Sequence, residues 1–121
     1  MKMIEKYKFQ KLRVYQMALD YVGAIYDQAK NMPDHEKYNL VSQIRRAATS
    51  IPLNIAEGST GQSNTEQQRY LSMAIRSYLE TIACLDLIQK QNYLPDQKLL
   101  SIRKNGHQLF IKLIAFRKSL S

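Results

Sequence analysis

The chain has 121 residues, 45% hydrophobic and 23% charged, with four Gly, three Pro, no Trp and a net charge of +8. That length fits one core rather than two, and the composition excludes the disordered and low-complexity classes, so a single domain over residues 1–121 is expected. The lone Cys84 excludes an intrachain disulfide and a thiolate metal set, and the charged opening Met1-Lys2-Met3-Ile4-Glu5-Lys6 leads into no uninterrupted apolar stretch, so neither a signal peptide nor a membrane span is expected and a reducing cytoplasm fits.

Turn-forming residues cluster at Asn31–Asp34, Gly58–Asn64 and Asn92–Asp96, which leaves four segments. In the first, over about residues 10–30, Tyr15, Leu19, Val22, Ile25 and Ala29 recur at three- and four-residue steps, the spacing of one helical face. In the second, over about 34–58, Leu40, Ile44, Ala48, Ile51 and Ile55 keep the same rhythm, and Gly58 follows as a C-terminal cap. Pro52 lies inside that rhythm without shifting it. It removes one backbone donor and crowds the carbonyl of Ala48, so a kinked helix is expected, with Thr49 or Ser50 satisfying freed backbone groups.

The third segment, over about 63–91, opens with Ser63-Asn64-Thr65-Glu66, the form of a capping box, and continues with Leu71, Ile75, Tyr78, Ile82 and Leu85 on one face. The fourth, over about 95–118, begins at Pro95 and carries Leu99, Ile102, Gly106, Leu109, Leu113, Phe116 and Leu120 in a heptad pattern. Gly106, the one position there without a side chain, predicts close approach of a neighbouring helix. No alternating run of β-branched and aromatic residues reads as a strand. Four amphipathic helices joined by short loops bury their stripes by packing against their sequence neighbours, so the expected fold is all-α, an antiparallel up-down-up-down four-helix bundle with a Pro-kinked second helix.

Apolar residues outrun one stripe. Leu100, Phe110, Ile111 and Ile114 on the fourth helix, with Met73, Cys84, Leu87 and Ile88 on the third, widen the apolar arc, either because a kinked bundle needs a broad core face or, as we prefer, to form a self-association surface between copies. The charge is uneven too: residues 1–32 contribute +3 and residues 95–121 contribute +5. An up-down bundle places both ends together, so Lys2, Lys6, Lys8, Lys11 and Arg13 are expected near Lys112, Arg117 and Lys118. Such a basic end attracts nucleic-acid phosphates by counterion release, although basic residues also complement the dipole of the last helix and keep a surface soluble.

The run Gln43-Ile44-Arg45-Arg46-Ala47-Ala48-Thr49-Ser50-Ile51-Pro52-Leu53-Asn54-Ile55-Ala56-Glu57-Gly58 resembles the signature of the four-helix-bundle family encoded within 23S rRNA intervening sequences. Phe9-x-x-Leu12-x-Val14-Tyr15-Gln16 resembles that family's opening, and Arg69-Tyr70-Leu71-x-x-Ala74 with Ser77-x-x-Glu80 resembles its third helix. The resemblance implies a small bundle that assembles as a ring, often described as a pentamer, with no established enzymatic activity. It also implies a fold similar to the accessory variability determinant proteins, which bind nucleic acid. Two departures stand out: Gly61 and Gln62 occupy positions where relatives carry basic residues, and Arg76 occupies one where many have Gly.

Within the motif, Gln43, Arg46, Ser50, Asn54 and Glu57 follow three- and four-residue steps and form a polar stripe beside the apolar one. Folding the second helix against the third brings Arg45 or Arg46 within reach of Glu80 and Asn54 near the start of the third helix. The stripe then either satisfies the backbone at Pro52 and forms ion pairs between helices or subunits, or lines a ligand or nucleic-acid site. His35 and His107 lack the Glu-x-x-His spacing of a di-iron bundle, and neither a nucleophile motif nor a phosphate-cradling Gly loop is present. Arg103-Lys104-Asn105-Gly106-His107 is similar to the Arg-to-His motif of helical HEPN ribonucleases but has three intervening residues where four to six are usual.

The expected protein is therefore non-enzymatic and self-assembling, free of metal, cofactor, membrane and small-molecule substrate, with RNA or DNA bound at the basic end. The alternative is an oligomeric protein-interaction scaffold without nucleic-acid binding.

Overall fold

In a computed structural model, residues 4–61 and 63–121 are described. Lys2 and Gln62 lie outside the described residues. Four helices account for most of the chain: α1 (Arg13–Ala29), α2 (Leu40–Gly58), α3 (Asn64–Lys90) and α4 (Asp96–Ser119). Each packs against two others in the cyclic order α1, α2, α3, α4, and no strand occurs among the described residues. Contacts across α2 and α3 run from Ser59 with Gln67 to Ser50 with Ser77. Those across α3 and α4 run from Arg103 with Asp86 to Arg117 with Ser72, so chain direction reverses at both seams.

Two helices begin later than the apolar rhythm predicts. A 3-10 turn over Lys8–Lys11 precedes α1, and another over Asp34–Glu36 precedes α2. At the second, Glu36 accepts from the Leu40 amide at 3.4 Å and the Asn39 side-chain amide at 3.1 Å, serving one of the open amides of the first turn of α2. The same carboxylate accepts the Tyr93 hydroxyl proton at 2.8 Å, which ties the α1–α2 loop to the α3–α4 loop.

The core stripe of α2 is as expected, with Leu40, Ile44, Ala48, Ile51 and Ile55 all buried, and the helix is unbroken through the buried Pro52. On α1 the buried face is Val14, Ala18, Tyr21, Ile25 and Ala29, while Leu19 is exposed and Tyr15 and Val22 are half-buried. Ile25 and Ala29 are thus buried as expected, while over the first turns the face is displaced by one residue, about 100° around the helix, to Val14, Ala18 and Tyr21. Tyr21 decides it: its hydroxyl meets the Thr81 hydroxyl of α3 across the core at 2.7 Å, and Thr81 in turn donates to the Tyr78 carbonyl. Burial pushes the Tyr21 and Tyr78 phenols above their ordinary range, which keeps them protonated.

Gly106 faces those two rings. A Cβ there would lie 2.6 Å from Tyr21 and 2.9 Å from Tyr78, so side chains of α1 and α3, rather than a helix backbone, occupy the space. Gly58 likewise ends α2 against α3, a Cβ standing 2.7 Å from the Tyr70 Cβ; the positive φ of the turn belongs to Gly61 instead. At the start of α3 the Ser63 hydroxyl accepts the Glu66 amide at 3.1 Å, but the Glu66 carboxylate pairs with Arg69 rather than closing the capping box.

The surplus apolar arc shrinks. Cys84 and Ile88 are core residues, and Phe110 and Ile114 pack partly against it. Leu79, Leu87, Leu100 and Ile111 remain about half exposed. No helix of the described residues is long and apolar enough to cross a membrane.

Candidate functional site

The polar stripe of α2 borders an open groove of about 410 Å³ between α2 and α3, lined by Gln43, Arg46 and Ser50 on one side and Ser77 and Glu80 on the other. Helical geometry fixes this: three- and four-residue steps keep the α2 groups on one face, and Ser77 and Glu80 are one turn apart on α3. Tyr38 and Asn39 close the end of the groove just before α2. The floor is a pair of hydroxyls, the Ser77 Oγ donating to the Ser50 Oγ at 2.9 Å. Asn54 Nδ2 reaches back to the Ser50 carbonyl at 2.9 Å and the Ser50 Oγ at 3.1 Å. Asn54 is therefore a local brace on α2 and does not meet the start of α3.

Arg46 and Glu80 line the same groove without forming an ion pair; the ion pairs of the described residues lie elsewhere. Arg46 donates to the Ser42 hydroxyl at 3.3 Å. Arg45 leaves the groove altogether: its guanidinium lies 5.2 Å from the Tyr26 ring centroid of α1, and its Nε is buried without a protein acceptor. Glu57 is exposed near the far end of α2. Thr49, beside Pro52, donates to the Arg45 and Arg46 carbonyls at 3.0 and 3.2 Å.

The basic residues expected to converge at one end do so only in part. Arg13 and Lys112 line one shallow cleft with Asp20, Asn105 and Gln108. Lys8 and Lys11 lie on the 3-10 turn that packs on α1 and α2. Arg117 turns to α3, donating to the Ser72 hydroxyl at 3.2 Å, and its carbonyl accepts from Gln68. Lys6 and Lys118 are exposed. Arg76 is exposed as well, so its bulk enters no helix contact.

The groove offers hydrogen bonds rather than a reactive centre. Its two serines bond to each other, and neither histidine lies on it: His107 stacks on Phe110, and His35 stands beside Tyr93. The Cys84 thiol is pushed up first by burial and then by the nearby Glu80 charge, which disfavours the reactive thiolate. No group of three metal-binding side chains is found among the described residues. Tyr38, Asn39 and Ser77 join the groove from outside the three- and four-residue steps of the α2 stripe. Only Ser77 carried a sequence signal, its one-turn spacing from Glu80, whereas the other two reach the groove through a loop that has no period.

The family model described as 23S rRNA-intervening sequence protein matches residues 10–115, which takes in the α2 motif and both walls of this groove. The chain belongs to that family. Among solved structures, a protein of unknown function from the S23 ribosomal protein family of Bacteroides thetaiotaomicron is similar to it at 26% identity and a TM-score of 0.80. That likeness covers 87% of this chain and 98% of the other. No curated protein matches. As a 23S rRNA-intervening sequence protein, the chain thus shares its fold with a structure whose own function is unknown.

Proposed function

We propose that this protein is a non-catalytic subunit that associates with copies of itself through the outer faces of α3 and α4, and that the assembly binds nucleic acid through basic residues of α1 and α4. The observation that carries the assembly is the outward apolar stripe. Leu79 and Leu87 are two turns apart on α3, Leu100 and Ile111 three turns apart on α4, and all four are about half exposed on neighbouring helices. Apolar positions repeated along an outer face are the pattern of a surface that meets another chain. The family resemblance implies a ring of copies, which agrees with such a surface.

The nucleic-acid half rests on charge. Residues 95–121 carry six basic side chains against one acid, and Arg13 and Lys112 share one cleft. A second reading, a scaffold for protein partners only, is favoured by Arg117, which is committed to Ser72 instead of standing free for phosphates. Sedimentation at micromolar concentration, alongside RNA and DNA binding over a salt series, separates the readings. The proposal expects a species several times the 14.1 kDa chain and an affinity that falls as salt rises. A monomer at all concentrations overturns the assembly, and no binding at low salt leaves the scaffold.

A further inference from the structure

The second side of the α2 motif forms a site of its own. A cleft of about 390 Å³ between α1 and α2 has three cations on its wall, Lys37, Arg45 and Arg46, and no carboxylate. Of the acids around it, Glu36 holds Tyr93, Asn39 and the Leu40 amide, Asp27 pairs with Lys30, and Glu80 lies beyond Arg46 in the α2–α3 groove without an ion pair to it. Like charges gathered without a counter-ion repel one another, and an anion between them removes that repulsion while gaining charge-assisted hydrogen bonds. Arg45 adds a guanidinium that lines the cleft while lying 5.2 Å from the Tyr26 ring centroid and making no ion pair with a described residue.

The ligand's chemistry follows from the other groups. Ser42 accepts from Arg46 and keeps its own hydroxyl proton to donate, which suits a phosphate oxygen. Tyr26 and Tyr38 line the same cleft; Tyr38 is 89% exposed, with Lys37 Nζ 5.5 Å from its ring centroid, so a planar group beside the phosphate finds a stacking surface on the rest of the ring. From this geometry we infer that the α1–α2 cleft binds a nucleotide through its phosphate, free or as one unit of a single strand. The site is separate from the basic residues at the start of α1. Tyr26 lies thirteen residues beyond Arg13 along one helix, about 20 Å away.

Calorimetric titration of the full chain at low salt with adenosine monophosphate, inorganic phosphate, adenosine and sulfate tests this. Lys37→Gln and Arg46→Gln change exposed side chains and are expected to leave the melting temperature unchanged while each weakens the nucleotide about tenfold, as loss of a hydrogen bond to a charged group does. Arg76→Gln, an exposed change on α3 outside both basic regions, is expected to leave nucleotide affinity intact, which separates the site from a general effect of net charge. The monophosphate should bind more tightly than phosphate or adenosine alone. A short oligothymidylate that competes with it and shares the Lys37→Gln loss identifies the strand as the fuller ligand. Equal binding of sulfate and nucleotide, an unchanged affinity in Lys37→Gln, or an acidic peptide binding more tightly than the nucleotide would each overturn the inference.

Discussion

Gly23 and Gly106 are both helical, and their surroundings set opposite outcomes for the same substitution. Nothing lies within 4 Å of a Cβ built at Gly23, on the exposed side of α1, so Gly23→Ala should stabilise by about 0.5–1 kcal/mol through chain entropy alone. At Gly106 the same propensity gain meets two tyrosine rings closer than 3 Å, and ring displacement in a packed core costs about 1–3 kcal/mol, so Gly106→Ala should be destabilising on balance. Urea midpoints at constant slope measure both, and a stabilised Gly106→Ala would mean the rings yield freely. The heptad pattern of α4 marked Gly106 as a contact position. It could not reveal that the contact is tyrosine, because Tyr21 stands one position off the expected face of α1, where its hydroxyl meets Thr81, and the period of α4 says nothing of which α3 side chain it meets. Hydrophobic period records which residues are apolar, and on α1 two overlapping faces satisfy it.

Element boundaries depend on local partners more than on rhythm. The apolar pattern of α2 was legible throughout, including across Pro52, whereas its first turn waited for Glu36 to fold back from the preceding loop. Capping at Ser63 was legible because one hydroxyl and one amide three residues apart suffice. Ser63→Ala should destabilise by about 1 kcal/mol, read from the melting midpoint. Glu36 yields a prediction in pH. The Tyr93 hydroxyl, with smaller help from Asn39, the Leu40 amide and His35, holds its carboxyl below the ordinary 4.5. Its contribution is therefore present above the unfolded value and is lost as pH falls through the lowered one. Tyr93 is shifted the other way: its bond to Glu36 raises the phenol above 10, so that contribution is present below the unfolded value and is lost as pH rises through the raised one. Tyr93→Phe should lower the melting temperature between those limits and flatten both limbs. Unchanged limbs would show that the two loops are held by other contacts. No sequence rule pairs Glu36 with Tyr93, fifty-seven positions apart in two loops.

At the scale of the molecule, the motif that identified the family turns out to have two sides. Gln43, Ser50 and Glu80 border the α2–α3 groove, Arg45 turns to the α1–α2 cleft, and Arg46 stands between them. The stripe itself was legible; the side chosen by Arg45 depends on Tyr26, and the gathering with Lys37 depends on a loop. The outer face carries the last prediction. Leu87→Glu with Ile111→Glu alters two positions about half exposed and outside the buried core, so the isolated chain should lose no more than roughly 0.5 kcal/mol per site. If copies associate through this face, association draws on the folded state alone, and the melting temperature of the unaltered chain must rise with protein concentration. In the double variant a buried carboxylate pair would oppose that contact, so its melting temperature should be independent of concentration and should meet that of the unaltered chain at high dilution. A melting temperature that does not move with concentration in the unaltered chain overturns assembly over that range, and one that still rises with concentration in the double variant places assembly on another face. A variant that melts lower even at high dilution instead shows that Leu87 and Ile111 support the protomer itself, through contacts along the α3–α4 seam.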